Sequence, residues 1–140
     1  MSEAKVDTDR PKAAARPLSP HLLHWRWHVT LLASITHRLT GMVLYAGVLI
    51  IAGWATALAA GPDAYAMYKD LLGSLLGKLV LLGVTFSVFY HLAGGLRHLV
   101  WDVGLGFSPR TAETTAMAAI AFGVAATAAV WIIAGVAGVL

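Results

Sequence analysis

The sequence contains no cysteine and few charged residues. Its 140 residues include 12% charged and 59% hydrophobic side chains, and its mean hydropathy is +0.74, whereas about 25% of residues are charged in soluble domains. The lack of cysteine excludes thiolate-ligated iron–sulfur clusters, covalently attached c-type haem and disulfides within this chain. The shortage of charge indicates an integral membrane protein, with room for one compact domain and no separate soluble catalytic module.

Three long apolar runs are separated by short segments that break helices. The runs cover about residues 30–60, 71–101 and 112–140, and each exceeds the roughly 20 residues that a helix needs to cross a bilayer. The breaks are Gly-Pro-Asp at 61–63 and Ser-Pro-Arg at 108–110. Backbone groups in lipid must be paired internally, and the runs lack the alternation of barrel strands. The sequence therefore predicts an all-α membrane protein with three transmembrane helices.

The residues before the first span divide into two parts. Residues 1–20 form a polar arm without the apolar block of a secretory signal, and we predict that it is cytoplasmic and partly disordered. Residues 21–140 are predicted to be a single transmembrane domain. Segment 21–41 interleaves Trp and Leu with His and Arg, which predicts a short interfacial helix. The alternative is an aromatic belt in which Trp25 and Trp27 anchor at headgroup level.

Basic residues set the predicted orientation. Six of the ten lysines and arginines lie within residues 1–38, so the positive-inside rule places the N-terminus in the cytoplasm. Loop 61–70 then faces outward, loop 102–111 faces the cytoplasm, and the C-terminus ends outside. Acidic residues in the arm argue against a mitochondrial transit peptide. The predicted location is a bacterial inner membrane.

A polar face is predicted near the start of the first span. Ser34 and Arg38 are four residues apart and Gly41 is three further on, so they share one side of a helix, and His37 lies beside it. A hydroxyl and a fixed cation offer hydrogen bonds to the polar head of a ligand whose tail stays in lipid. The alternative is an arginine that extends to lipid phosphates.

A second polar stripe lies near the end of the second span. His91, Gly94, Gly95 and His98 recur at offsets of three, four and seven residues, which return to one helix face. The glycines leave room for a flat macrocycle whose iron His91 ligates, and His98 and Arg97 can meet its carboxylates. The alternative is that the glycines permit close helix packing and the histidine hydrogen-bonds a neighbouring helix.

Three ordered blocks resemble the family of cytochrome b556 subunits, the larger membrane anchors of succinate dehydrogenase, or complex II. They are RPLSPHL at 16–22, SITHRLTG at 34–41 and HLAGGLRHLVWD at 91–102. Together with the three spans, the blocks cover nearly all of residues 16–140. The resemblance implies an anchor that packs with a second, smaller anchor subunit into a haem-binding helical bundle.

The resemblance also implies roles for particular residues. His91 matches the axial ligand of haem b, and the small anchor subunit supplies the second axial histidine. Ser34 and Arg38 match positions at the ubiquinone site. Four residues match the propionate side of the haem: His37, Arg38, Arg97 and His98.

The resemblance implies that this chain is a non-dehydrogenase subunit of succinate:quinone oxidoreductase. A partner flavoprotein oxidises succinate, an iron–sulfur subunit relays the electrons, and the anchors help form the site that reduces ubiquinone. The sequence agrees, because it has no nucleotide-binding glycine loop and no soluble domain for a flavin; no nucleic-acid partner is expected. Three alternatives stay open: an anchor of a quinol:fumarate reductase, a haem-free structural anchor, and a transporter or channel.

Overall fold

The structure, a computed structural model, describes residues 26–138. It consists of four helices: α1 (Val29–Ala60), α2 (Pro62–Gly73), α3 (Leu75–Asp102) and α4 (Pro109–Val136). Helices α1, α3 and α4 are long and apolar enough to cross a membrane, and residues 26–138 contain no strand. The predicted all-α fold with three spans is therefore confirmed for these residues. The predicted arm, residues 1–20, lies outside them.

The start of α1 differs from the prediction. The Nδ1 atom of His28 accepts a hydrogen bond from the Leu31 backbone N–H at 3.2 Å, so it satisfies one of the unpaired donors at the helix start. No Gly or Pro follows until Gly41, and nothing interrupts the helix. The predicted interfacial helix over 21–41 is thus not separate, since its part from Val29 onward is the start of α1. Residues 21–25 lie outside the described chain.

Segment 61–70 also differs from the prediction. It was expected to be an outward-facing loop, but most of it is helix α2. Gly61 adopts φ +110° and ends α1, and Pro62 then opens α2 at a position where its missing N–H costs nothing. The Tyr68 hydroxyl donates to the Ile50 carbonyl of α1 at 2.6 Å. The glycine–proline break was correctly located, but the chain resumes a helix at once, and α3 begins at 75 instead of 71.

Small residues form the interior of the bundle. α3 packs against both α1 and α4, and the buried apolar residues include Ala33, Ala116 and Ala119, with Tyr90 as the only large side chain that is fully buried among residues 26–138. Helices in lipid gain little from burying large apolar side chains, so close approach through small residues stabilises them instead. The larger apolar side chains mostly face outward.

The connections bring three helix ends together. α1 and α3 are joined through α2, and α3 and α4 are joined by residues 103–108. Successive spans run in opposite directions, so the start of α1, the end of α3 and the start of α4 lie at the same end of the bundle. α1 has 32 residues, about 48 Å at about 1.5 Å per residue, against a hydrocarbon core of about 30 Å. Its first turns can therefore reach the membrane interface, where polar side chains are accommodated.

Candidate functional site

Three histidines meet at this end of the bundle. The His37 and His91 rings are stacked, with centroids 4.0 Å apart and planes at 11°, and the His98 ring lies edge-on to His37 at 5.0 Å. His37 comes from α1, whereas the other two come from α3. The structure thus brings together the polar face near the start of the first span and the polar stripe near the end of the second.

The hydrogen bonds of His91 identify which of its nitrogens is free. Its Nδ1 lies 3.1 Å from the His37 carbonyl oxygen and 3.2 Å from the Thr40 hydroxyl oxygen. A carbonyl can only accept, so Nδ1 carries the hydrogen and Nε2 carries the lone pair in the neutral ring. Nε2 has no hydrogen-bond partner among residues 26–138. Metal-bound histidines usually show this arrangement, in which the second nitrogen donates to a carbonyl.

Two glycines determine how closely α1 and α3 approach here. A Cβ atom at Gly41 would lie 3.1 Å from His91 Cε1, so the missing side chain lets the His91 ring reach the α1 backbone. A Cβ at Gly94 would overlap the His37 ring, whereas one at Gly95 would have no described atom within 4 Å. The predicted free space beside Gly94 is therefore filled by His37, and only the space beside Gly95 is open.

His37 has a buried ring nitrogen without a partner. Its Nε2 is buried and makes no hydrogen bond, and it is the only such side-chain nitrogen or oxygen in the part of the chain that the structure describes. An unpaired buried polar group costs free energy, on the order of 1–3 kcal/mol. This atom is therefore suited to a hydrogen bond with a group that the chain itself does not provide.

A small polar cavity lies between the three spans. Its volume is about 50 Å³, against roughly 300–1,000 Å³ for ligand pockets that hold drug-sized molecules. Tyr90 lies at its inner wall and donates its hydroxyl hydrogen to the Ala33 carbonyl at 2.9 Å. The cavity has room for water but not for a macrocycle or a quinone ring. The polar lining residues are Thr30, Ser34, His37, Tyr90, Arg97, His98 and Trp101.

Ser34 and Arg38 remain available for a ligand. Both side chains are exposed, and neither forms a hydrogen bond or ion pair with residues 26–138. They lie one turn apart on α1, so a hydroxyl and a guanidinium face the surroundings at neighbouring positions.

Arg97 has partners that the sequence did not indicate. Its Nε donates to the Thr115 hydroxyl at 3.0 Å and its Nη2 to the Ala112 carbonyl at 2.9 Å. The guanidinium carbon also lies 4.0 Å from the centroid of the Trp101 ring. Arg97 therefore joins α3 to the first turns of α4, and its assignment to the propionate side stays a prediction.

Two contributing residues were missed by the sequence reasoning, Thr40 and Tyr90. Thr40 is three residues after His37 and lies within the SITHRLTG block, so its spacing could have placed it beside the histidines. Tyr90 immediately precedes His91 and lies among apolar residues. Nothing in the local sequence of Tyr90 distinguishes it from an interfacial aromatic residue.

The residues fit a metal-containing cofactor whose own atoms supply most of the metal ligands. The described chain has no group of three or more His, Asp or Glu side chains that could hold a metal ion, so His91 could contribute a single ligand. His37 and His91 cannot ligate one metal ion from opposite sides, because their rings are stacked face to face with centroids only 4.0 Å apart. His98 is seven residues further along α3, about 10 Å away. A haem would fit this arrangement if its other protein ligand came from outside residues 26–138.

Comparison with known proteins gives consistent matches. Residues 12–130 match the family described as succinate dehydrogenase/fumarate reductase transmembrane subunit. The chain is 40% identical over 106 residues to the succinate dehydrogenase cytochrome b556 subunit of Paracoccus denitrificans, covering 76% of this chain and 82% of the relative. It is 33% identical over 117 residues to the subunit of the same name in Rickettsia felis, covering 84% and 91%.

A mitochondrial protein is also similar. The chain is 39% identical over 98 residues to the succinate dehydrogenase cytochrome b560 subunit of Sus scrofa, covering 66% of this chain and 56% of the relative.

Proposed function

This chain belongs to the succinate dehydrogenase/fumarate reductase transmembrane subunit family, and we propose that it holds haem b through His91 and forms part of a ubiquinone-reduction site. In this proposal it acts within complex II, beside a flavoprotein, an iron–sulfur subunit and a small anchor subunit. Its own part is to dock the soluble subunits at a bacterial inner membrane with its N-terminus in the cytoplasm.

The hydrogen bond between His91 Nδ1 and the His37 carbonyl supports the proposal most strongly. This bond, at 3.1 Å, leaves the Nε2 lone pair of His91 free to coordinate iron. A histidine present only for helix packing would more often use both nitrogens in hydrogen bonds, since an unpaired polar atom in lipid is costly.

The surrounding residues suit the edge of a haem. The buried Nε2 of His37 has no partner within the described chain, and the exposed His98 lies on the same side. A propionate oxygen is a suitable partner for both, and Arg38 and Arg97 add positive charge nearby. When bound, the haem would supply a one-electron carrier beside the quinone.

The quinone site is proposed at the exposed side of α1. The Ser34 hydroxyl can donate a hydrogen bond to one quinone carbonyl oxygen. The Arg38 guanidinium can stabilise the negative charge that develops on that oxygen during reduction, as preorganised cations do at other sites. Both side chains lack partners among residues 26–138, so neither must break an internal bond to bind quinone.

The division of labour follows from what the chain lacks. With no cysteine it cannot ligate an iron–sulfur cluster, so electrons must arrive from a partner subunit. The same applies to succinate oxidation, which we assign to the flavoprotein.

Purification of the tagged chain from detergent-solubilised membranes tests the proposal. We expect a flavoprotein, an iron–sulfur protein and a second small membrane protein to co-purify, and a reduced-minus-oxidised spectrum typical of a b-type haem. Activity with ubiquinone and with menaquinone separates succinate oxidation from fumarate reduction. A complex that contains no haem would reduce the chain to a structural anchor, and the absence of the two soluble subunits would overturn the proposal altogether.

A further inference from the structure

Thr40 makes a contact that joins the backbone of α1 to His91. The residue is only 3% exposed, and its hydroxyl oxygen lies 2.9 Å from the His37 carbonyl oxygen and 3.2 Å from His91 Nδ1. The His37 carbonyl oxygen is itself 3.1 Å from His91 Nδ1. Three polar atoms from two helices therefore form one closed group.

The direction of each hydrogen bond in this group can be assigned. Nδ1 of His91 must carry a hydrogen, because the His37 carbonyl only accepts. The Thr40 hydroxyl has one hydrogen, which it donates to the same carbonyl, and its oxygen lone pairs then accept from His91. The Nδ1–H is therefore shared between two acceptors, the carbonyl and the hydroxyl.

The Thr40 side chain is held in the orientation that this sharing requires. A threonine in a helix has a restricted χ1 angle, and a bond from its hydroxyl to the carbonyl three residues earlier selects one rotamer. That rotamer directs the oxygen at α3. Gly41, the next residue, lacks the side chain that would keep the His91 ring away.

From this geometry we propose that Thr40 is a positioning residue that fixes the orientation of His91 and raises its basicity as a haem ligand. The inference rests on the proposed function. An Nδ1–H that donates to a strong acceptor increases the electron density at Nε2, and this favours the ferric over the ferrous state of a bound haem. Thr40 itself does not touch the iron.

Thr40→Val in the purified complex tests this role, since valine keeps the shape and removes the hydroxyl. Loss of a hydrogen-bonding partner behind a metal ligand lowers metal affinity by about 10–100-fold. We expect the lower end here, because the His37 carbonyl remains, and we expect the loss to fall on the ferric state. A tenfold loss of preference for the ferric state raises the midpoint potential by about 59 mV for a one-electron couple. Redox titration followed by absorbance measures this shift independently of enzyme activity.

Two further variants make the test specific. Thr40→Ser retains the hydroxyl and is expected to keep the potential of the unaltered complex. Thr127→Val is the matched control, because Thr127 is also buried, at 6% exposed, but its hydroxyl bonds only the Gly123 carbonyl of its own helix, at 2.6 Å. It should leave the potential unchanged.

The outcomes separate the two proposals. If the unaltered complex contains haem but Thr40→Val has the same potential, or if Thr127→Val shifts it equally, the positioning role is wrong and the haem assignment stands. If the unaltered complex contains no haem, the proposed function fails first. Should Thr40→Val fail to assemble, the titration is made on Thr40→Ala, with the same expected rise and the same result against the proposal.

Discussion

Helix α3 contacts α4 and α1 in different ways. Its contact with α4 is close and apolar, and the polar groups there already have partners. Its contact with α1 contains imidazoles with unpaired nitrogens. At the α3–α4 seam, Gly123 faces the Cβ of Tyr90, and the Thr127 hydroxyl bonds its own helix. At the α1–α3 seam, His37 and His91 each keep a nitrogen without a partner in the described chain. Both seams are close, but among residues 26–138 only the second has a buried side-chain polar atom without a partner, which is where function is to be sought.

Arg97 shows how the two seams are connected. Its guanidinium is bound to Thr115 and Ala112 on α4, yet the same side chain lines the small cavity beside His37 and His98. A cation that fastens α4 to α3 therefore also contributes charge near the histidines. A structural role and an electrostatic role are compatible in one residue.

The largest effect is expected from removing His91. His91→Leu removes the proposed iron ligand, so we expect complete loss of the bis-histidine b-type spectrum in the purified complex. His98→Leu, on the same helix, should retain a low-spin b-type spectrum because it leaves the proposed axial ligand intact. An unchanged spectrum in His91→Leu would refute the ligand assignment. The α1–α3 seam would then have no haem-binding role to distinguish it from the α3–α4 seam.

The second-largest effect is expected from removing the Arg38 side chain. Arg38→Ala removes the cation proposed at the quinone oxygen, and loss of such a group costs about 10²-fold or more in rate. We expect succinate:ubiquinone activity to fall by that order, while succinate oxidation by a soluble electron acceptor is kept. Arg26→Ala removes another exposed arginine just before α1 and should change neither activity. Equal loss of both activities in Arg38→Ala would count against a role at the quinone.

A smaller effect is expected at Gly94. Gly94→Ala places a methyl group where the His37 ring lies, so His37 must move away from His91. We expect an altered haem spectrum or midpoint potential with haem still bound. Gly83→Ala, at a position where a Cβ meets no described atom within 4 Å, serves as the control. If Gly94→Ala leaves the haem properties unchanged, the His37 stack does not influence the site.

The smallest effect is expected from the α3–α4 seam. A Cβ at Gly123 would lie 3.0 Å from Tyr90 Cβ and 3.3 Å from Tyr90 Cα, atoms that cannot move without the backbone. Gly123→Ala should therefore lower the thermal midpoint of the complex, with an overpacking cost of about 1–3 kcal/mol. The haem spectrum of the assembled fraction should stay normal. If Gly123→Ala were as stable as Gly83→Ala, the α3–α4 seam would be less tightly packed than these distances indicate.

The fold was largely predictable from the sequence, because membrane helices are set by length and hydropathy alone. The three spans were placed within about four residues of the ends of α1, α3 and α4. The helix α2 was not predicted, since Gly61 and Pro62 were interpreted as opening a loop. A proline that ends one helix can also start the next, and only the packing of Tyr68 on α1 shows that it does so here.

The candidate site was predictable in part. Helical spacing placed His91, Gly94 and His98 on one face, and the contacts of His91 and His98 with His37 agree with this. Spacing within one helix could not show that His37 fills the gap at Gly94, because that gap is closed by a different helix. The quinone and propionate roles of Ser34, Arg38 and the remaining residues stay predictions.

The sequence by itself determined that this chain crosses a membrane, how many times it does so, and that it cannot hold an iron–sulfur cluster. These properties depend on apolar run length and on the absence of one residue type, and neither requires knowledge of contacts. Tertiary structure alone decided which nitrogen of His91 is free, that Thr40 lies behind it, and that Arg97 is bound to α4. Each of these depends on atoms from two helices approaching within about 3 Å, the distance at which hydrogen bonds form, and a linear pattern does not contain that information.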